Sequence, residues 1–302
     1  MNSQAYDRIT ERIIALLEQG TVPWHKPWKV RAEWPRNLVT KKPYRGINVF
    51  LLATMNYESP WWLTFRQACQ LGAWVRKGEK ACMVVFWKPM KMEDKESGEE
   101  RKISLLRLYY VFNVSQCEWG EKSSFPELPE APPPALSKPE EIVAGMPLKP
   151  SIKHGKSRAY YSPREDYVGM PSRKKFDREA EYYSTLYHEL IHATGSEKRL
   201  NRPTLTANAG FGSDPYCREE LIAEMGAAFL CGQAGIVDQI VDNSAAYLDA
   251  WLERLSNDRT LIVHAAAQAQ KAADYILGIQ PGEIEEESTR AETSPEPVEV
   301  GS

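Results

Sequence analysis

The stretch His188-Glu189-x-x-His192 places two histidines four positions apart, with a glutamate directly after the first. On an α-helix, side chains four residues apart lie on one face, so both imidazoles can point at a single ion. A divalent metal such as zinc takes three protein ligands in a catalytic site and keeps a fourth position open for water. The ion makes that water more acidic, and Glu189 is the general base that takes its proton in sites of this pattern. The stretch therefore predicts a helix that carries a catalytic metal centre.

The residues around this motif also favour a helix. Asp177 is a suitable N-terminal cap, and Asp177, Glu179 and Glu181 place negative charge near the positive end of the helix dipole. Gly195 suits the position just past the last turn. The alternative is an accidental surface pair of histidines, which is disfavoured because a chain with only five histidines rarely shows this spacing by chance.

A third ligand must come from elsewhere, and a proline-free segment at 218–230 is predicted to form a second helix. Glu220 and Glu224 share a face of this helix, so one can bind the metal while the other accepts the outer N–H of a ligand histidine. The spacing resembles the Glu-x-x-x-Asp of gluzincin peptidases, which favours Glu220 as ligand and Glu224 as the histidine's partner. Glu219 is a competing third ligand, and a solvated helix face is the alternative for all three acids. Tyr160, Tyr161, Tyr247 and His264 are the candidates to stabilise an oxyanion, and the sequence does not choose among them.

The composition is typical of a protein from a reducing, aqueous compartment. No apolar run approaches the roughly 20 residues of a membrane span, and the mixed charges of the amphipathic N-terminus do not resemble a signal peptide. Five scattered cysteines without C-x-x-C spacing indicate reduced thiols, so we expect a cytoplasmic protein without a membrane partner.

Charge and tryptophan divide the chain into two parts. Residues 1–120 hold 19 Lys and Arg against 12 Asp and Glu, together with eight of the nine tryptophans, whereas the remainder holds 19 basic against 29 acidic residues. Residues 121–150 contain eight prolines, as is typical of an extended linker. We therefore predict an α+β protein of two domains. They are a small antiparallel-sheet α+β domain at 1–120 and a metal-binding domain at 146–279, joined by a Pro-rich linker at 121–145 and followed by a disordered acidic tail at 280–302.

Local patterns predict further elements within these domains. Helices are expected at 6–18, at 48–57, at 64–71 with Thr64 as N-cap, at 247–255 and at 258–277. Buried strands are expected at 81–87 and 105–114, joined by an exposed loop at 91–102, and two short strands around Pro163.

The N-terminal domain interleaves cationic and aromatic residues. Single-stranded nucleic acid is bound by that combination, with cations for phosphates and rings for bases, whereas duplex readers usually show motifs that are missing from this sequence. The alternative is that tryptophans fill a core and basic residues solvate a surface; Trp87 is predicted to be core, and Trp24 and Trp28 to be exposed. The contact candidates are Trp24, Lys26, Trp28, Lys41, Lys42, Tyr44, Arg45, Arg76 and Lys77.

Taken in order, these motifs resemble the ArdC family of plasmid antirestriction proteins. The resemblance rests on SPWWLTFRQA, GAWVRKGEKACMVVFW, HELIHATG and the stretch from Glu219 to Glu224, and it covers about residues 1–278. It implies a single-stranded-DNA-binding domain followed by a zincin-like metallopeptidase domain. It also implies carriage on a conjugative plasmid and protection of incoming DNA from host restriction. The ligand types favour Zn²⁺, and another divalent ion such as Mn²⁺ is compatible with them.

Two mechanisms fit this resemblance. In the first, the N-terminal domain coats transferred single strands and the metal is structural. In the second, the metal centre cuts a protein substrate in the host restriction pathway, which the intact Glu189 favours. The alternative function is a cytoplasmic metalloprotease whose basic domain recognises an acidic protein substrate.

Overall fold

The computed structural model describes residues 3–25, 34–93, 100–120, 138–206, 214–236 and 245–279. The helices and strands in the N-terminal part are α1 (Ser3–Glu18), β1 (Arg36–Asn37), α2 (Ile47–Ala53), β2 (Trp61–Thr64), α3 (Phe65–Gln70), β3 (Ala73–Val75), β4 (Cys82–Glu93), β5 (Glu100–Asn113) and β6 (Cys117–Trp119). Those in the C-terminal part are α4 (Pro139–Gly145), β7 (Ser151–His154), β8 (Tyr160–Ser162), β9 (Tyr167–Met170), α5 (Glu179–Thr194), α6 (Pro203–Thr206), α7 (Asp214–Ala234), α8 (Ala245–Asn257) and α9 (Leu261–Ile276).

A four-stranded sheet in the order β1-β2-β5-β4 forms the centre of the N-terminal part. β1 and β2 run parallel, and the other neighbours are antiparallel. The predicted N-cap of α3 is confirmed, because Thr64 accepts from the backbone N–H of Gln67 while the Gln67 side chain reaches back to the Thr64 N–H. The predicted loop at 91–102 is too long. Both strands continue into it, to Glu93 and from Glu100, and its remainder lies outside the described residues.

The C-terminal part combines a three-stranded sheet, in the order β7-β9-β8, with a layer of helices. β8 and β9 were predicted, whereas β7 was not, because its residues are mostly exposed and lack an apolar alternation. α5 packs on this sheet on one side and on α7 on another. The predicted cap Asp177 is wrong. α5 begins after Arg178, and the Glu181 carboxylate accepts from the backbone of Asp177 and Arg178.

The helix α4 lies within the predicted linker. Its apolar side chains Ile142 and Val143 are buried against the rest of the fold, so residues 139–145 form a packed helix and are not extended. The proline count misled the prediction, because Pro139 occupies the first turn of this helix, where a proline is tolerated. The linker residues 121–137 and the acidic tail at 280–302 lie outside the described residues.

One buried hydrophobic cluster runs through both parts of the chain. It includes side chains of α1, α2, β4 and β5 together with side chains of α5, α7 and α9. α1 packs on α8 and α9, and α2 packs on α9. Among the described residues, no helix combines the length and the apolar character that crossing a membrane requires.

Candidate metal centre

His188 and His192 project from the C-terminal half of α5 towards the same point. Their Nε2 atoms lie 3.1 Å apart, and the ring planes cross at 80° with centroids 4.7 Å apart. The Nε2 atoms of both rings therefore face a shared position, as expected for two residues on one face of a helix. Glu189, between them in sequence, is buried.

Glu220 of α7 completes this group from the facing helix. Its carboxylate oxygens lie 3.4 Å from His188 Nε2 and 3.7 Å from His192 Nε2. Two ligand atoms that are each about 2.1 Å from one ion in tetrahedral geometry lie roughly 3.4 Å apart, so these distances fit a bound divalent metal. Among the described residues, these three side chains form a group of metal-binding type, with all ligand atoms within 4.8 Å of one another. The structure thus brings together the three side chains that the sequence singles out as candidate ligands.

Glu219 supports the ligand His192 from the opposite side of the ring. The His192 Nδ1 lies 3.3 Å from a Glu219 oxygen, so an N–H on Nδ1 can donate to this carboxylate, the arrangement that orients ligand histidines in metal sites. Arg202 donates to both Glu219 oxygens, and the Thr204 hydroxyl donates to one of them at 2.6 Å. Arg202 also reaches Thr194 and the carbonyl of Ile191, which fixes the C-terminal end of α5.

The charges of this cluster are reflected in its pKa values. Burial acts to lower the pKa of His192, but hydrogen bonds and charges from Glu219 and Glu220 outweigh it and raise the pKa to about 10. Burial acts to raise the pKa of Glu219, whereas the hydrogen bonds from His192 and Arg202 hold it at about 2. The pKa of Glu220 is lowered in the same way by His188 and His192. Both carboxylates are thus negative at neutral pH, as a cation site requires.

The prediction that Glu224 supports a ligand histidine is wrong. Glu224 lies one helical turn beyond Glu220, and its carboxylate accepts from Trp24 Nε1 at 2.8 Å and from the Tyr247 hydroxyl at 2.5 Å. His25 Nε2 lies 3.5 Å from the same oxygen and stacks on Tyr247. Glu224 therefore anchors the N-terminal segment on α7, and Glu219 is the acid that contacts a candidate ligand histidine.

The four oxyanion candidates have partners away from the metal group. Tyr160 bonds Tyr167, Tyr161 bonds Asp166, Tyr247 bonds Glu224, and His264 lies against Tyr6. Tyr216, which the prediction missed, lies next to Glu220. Burial first, and then the neighbouring Glu220, raise its pKa to about 12, with a smaller contribution from Glu189. Its position four residues before the metal-ligand candidate on α7 was the available signal.

The predicted DNA contacts are mostly engaged within the fold. Trp24 is 1% exposed, which contradicts its predicted exposure, and Tyr44 is also buried. Arg45 pairs with Asp274, Arg76 pairs with Glu79, and Lys41 lies over the ring of Trp61. The Lys42 Nζ is buried with no hydrogen-bond partner among the described residues, Lys77 is exposed, and Lys26 and Trp28 lie outside the described residues.

Trp87 was predicted to lie in the core, but it is exposed. It is 40% exposed, because β4 lies at the edge of the sheet order and its apolar run includes side chains on both faces. The physical reason for both errors is the same. Burial of a tryptophan depends on which distant elements cover it, and neighbours in sequence do not report that.

Comparison with known proteins finds a matching family for each of the two parts of the chain. Residues 3–112 match the family described as the N-terminal domain of anti-restriction factor ArdC, and residues 139–268 match the family of zincin-like metallopeptidases. The metal-free crystal structure of the antirestriction protein ArdC from plasmid R388 is similar, with 40% identity, a TM-score of 0.70, and 91% of this chain and 97% of that chain covered. Its Mn(II)-bound structure is similar with 38% identity, a TM-score of 0.69 and the same coverage.

Two relatives of known sequence extend the comparison. The uncharacterized protein y4eC of Sinorhizobium fredii is 34% identical over 285 residues, with 90% of this chain and 91% of that protein covered. The DNA primase TraC of Escherichia coli is 32% identical over 313 residues, which are 96% of this chain and 28% of that protein.

Proposed function

Since the chain belongs to the ArdC family of antirestriction proteins, we propose that it binds single-stranded DNA and cleaves a protein with its metal centre. Both activities protect plasmid DNA that enters a restricting bacterium during conjugation, in the cytoplasm of the recipient. The proposal takes Zn²⁺ as the resident metal, and Mn²⁺ is the alternative, since a homologous ArdC was solved with Mn(II).

The convergence of His188, His192 and Glu220 carries the enzymatic part of the proposal. Two imidazoles and one carboxylate form the donor set of catalytic zinc sites of the peptidase type, which leave a position open. A purely structural site needs four protein ligands and no base, whereas this group has three and is adjoined by Glu189. A divalent ion bound here would polarise a peptide carbonyl and make a coordinated water more acidic.

The chain's own residues supply the rest of the chemistry. Glu189, directly beside the ligand His188, accepts a proton from the attacking water and passes it to the leaving amine. Glu219 holds His192 in the tautomer whose Nε2 faces the metal, because its carboxylate accepts from Nδ1. Tyr216 stays protonated at neutral pH, and its hydroxyl hydrogen-bonds the carboxylate of the candidate ligand Glu220, which helps to orient that carboxylate.

The DNA-binding part is supported by the first 120 residues, with their excess of basic over acidic side chains and their eight tryptophans. Cations and aromatic rings together bind single strands without reading their sequence. A protein that acts on any incoming plasmid requires that property, because the sequence of the transferred strand varies.

The test is the transfer of a conjugative plasmid into a restricting recipient, normalised to transfer into a non-restricting one. We expect the wild type to protect the plasmid and Glu189→Gln to lose protection while it retains bound metal and single-stranded DNA. Glu179→Gln is the matched control, because it removes an exposed carboxylate from the same helix. Protection by Glu189→Gln at the wild-type level would exclude hydrolysis and leave DNA shielding as the mechanism.

A second measurement tests the metal assignment itself. His188→Ala and His192→Ala should each lose the bound metal, as quantified by plasma mass spectrometry after dialysis, and should lower the thermal stability of the purified protein. Wild-type metal content after both substitutions would refute the assignment. Failure of wild type to bind single-stranded oligonucleotides at physiological salt would favour the alternative, a metalloprotease that recognises a protein substrate.

A further inference from the structure

Two paired strands display four exposed aromatic side chains. Phe86 and Trp87 on β4 are 42% and 40% exposed, and Tyr109 and Tyr110 on β5 are 38% and 47% exposed. Scattered apolar residues at a surface are normal, but four large exposed aromatic rings on two adjacent strands exceed that background. Burying these rings would be favourable, so their exposure is a cost to the free protein that a bound partner can offset.

The strand register divides these rings between two faces of the hairpin. Phe86 lies opposite Arg107, and Tyr109 lies two residues further along the same strand, so all three share one face. The rings of Phe86 and Tyr109 are in contact, with centroids 5.6 Å apart and planes at 72°. Trp87 lies opposite Leu106 and shares the other face with Tyr110.

The face that carries Trp87 and Tyr110 packs against helices of the fold. Trp87 packs against Tyr6 of α1 and His264 of α9, with ring centroids 6.3 and 6.1 Å away. The Tyr110 hydroxyl accepts a hydrogen bond from Arg8 of α1 at 2.9 Å. This face joins the hairpin to the helices, and its aromatic side chains have a structural role.

The face that carries Phe86 and Tyr109 is supported from within the fold and is open on its outer side. Tyr44 is buried and packs against Phe86, with ring centroids 6.1 Å apart, which holds the Phe86 ring in place. Arg107 lies directly opposite Phe86, and Lys88 follows two residues later on the same face. No described acidic side chain forms an ion pair with either cation. The hairpin face, defined as Phe86, Lys88, Arg107 and Tyr109, thus combines two open rings with two cations.

We propose that the hairpin face is the site where this protein binds single-stranded DNA, which rests on the DNA-binding part of the proposed function. Two neighbouring bases stack on Phe86 and Tyr109, while Arg107 and Lys88 contact the adjacent phosphates. A single strand fits better than a duplex, because paired bases do not expose their flat faces to side chains on a sheet. Of the predicted aromatic contacts, Trp24 and Tyr44 are buried and do not present a ring face to a base.

Leucine substitutions test the stacking. Phe86→Leu and Tyr109→Leu keep an apolar side chain on the strand but remove the flat ring. Loss of stacking on one base should raise the dissociation constant for a fluorescein-labelled oligothymidylate by roughly 5- to 150-fold, measured by anisotropy. Phe65→Leu is the matched control, because Phe65 is 57% exposed on α3, outside the hairpin, and should bind like wild type.

Glutamine substitutions test the phosphate contacts. Arg107→Gln should reduce the slope of log affinity against log salt by about 0.7, the value for one phosphate contact on a single strand. Arg66→Gln, which removes an exposed arginine from α3, should leave the slope unchanged. Displacement of the oligonucleotide by polyaspartate at equal charge concentration would indicate an acidic protein as the partner and overturn base stacking.

Photo-crosslinking of wild type keeps the proposal testable if a variant does not fold. An oligonucleotide that contains 5-iododeoxyuridine should crosslink to Phe86 or Tyr109, and crosslinks confined to residues before 46 would refute the assignment. Wild-type affinity in both leucine variants would overturn the hairpin face and leave the DNA-binding function intact. Absence of binding by wild type would overturn both the function and the hairpin face.

Discussion

Replacing Glu219 by glutamine isolates the contribution of a carboxylate that lies outside the candidate ligand group. Four donors converge on this buried side chain: the Nδ1 of His192, the Nε and Nη2 of Arg202, and the hydroxyl of Thr204. Glutamine has nearly the same shape, but half of its head group is an NH2 that donates and cannot accept. At least one donor is therefore left facing another donor, and the Arg202 guanidinium loses its counter-charge.

The size of the effect follows from burial and from the role of His192. Breaking a buried ion pair by removing one partner costs about 3–5 kcal/mol of stability, and both members of this pair are buried. Loss of the group that orients a ligand histidine typically weakens metal binding by about 10- to 100-fold. We expect both effects from Glu219→Gln, a lower free energy of unfolding and a higher metal dissociation constant.

Glu224→Gln is the matched control for this variant. It changes the same residue type on the same helix, but Glu224 contacts Trp24 and Tyr247 and not a ligand histidine. Metal affinity is measured by competition with a fluorescent chelator, under conditions where circular dichroism shows each variant to be folded. Stability of the metal-free forms is measured by urea denaturation.

The two variants should differ in metal affinity by at least tenfold. If Glu224→Gln weakens metal binding and Glu219→Gln does not, the assignment of the two carboxylates is reversed and the sequence-based prediction stands. If neither variant changes metal affinity, then the contact between Glu219 and His192 does not orient the ligand, and its role is confined to stability.

Three further variants test the packing around the centre. Gly226→Ala should destabilise the protein by about 1–3 kcal/mol and weaken metal binding, because a Cβ would lie 2.6 Å from the buried Ile191 side chain and push α7 away from α5. A wild-type free energy of unfolding together with wild-type metal affinity would refute this close approach. Trp24→Phe should cost about 2–4 kcal/mol in urea denaturation through a lost hydrogen bond to a carboxylate and a smaller ring, with unchanged metal affinity as its internal control. Burial acts to raise the pKa of Asp166, but hydrogen bonds from Arg199 and Tyr161 outweigh it and lower the pKa. The ion pair with Arg199 therefore contributes stability above the unfolded value of about 3.9 that is lost as pH falls through the folded pKa. Asp166→Asn should thus destabilise by about 1–3 kcal/mol at pH 7 and by less below pH ~4, and an equal loss at both pH values would contradict this linkage.

The metal ligands were predictable because their geometry is local. Within one helix, a spacing of four fixes which side chains meet, so His188 and His192 needed no knowledge of the fold. The helix α3 and its cap were predictable for the same reason, since Thr64 and Gln67 interact across three residues. Glu220 was preferred as third ligand because its spacing to Glu224 resembles the Glu-x-x-x-Asp of gluzincin peptidases, and the structure places it beside both histidines.

The errors concern contacts between elements that are distant in sequence. Glu219 and Glu224 are both on α7, and only the crossing of α5 over α7 decides which of them faces His192. The wrong burial predictions for Trp24 and Trp87 have the same origin. Prolines and lysines around Trp24 indicate an irregular segment, but they do not show that α7 and α8 cover it. A rule based on neighbouring residues cannot contain this information.

The position of Trp24 also shows how closely the two predicted domains are connected. The sequence predicts two domains joined by a proline-rich linker, yet α7 carries the metal-ligand candidate Glu220 and, one turn later, Glu224, which anchors Trp24 of the N-terminal segment. Further along the same helix, Phe229 stacks on Phe50 of α2. The helix that completes the metal centre is therefore held on one side by the HExxH helix and on another by the N-terminal part. Side chains of α7, including Phe229, belong to the same buried cluster as side chains of α1 and α2, so the two predicted domains share one core.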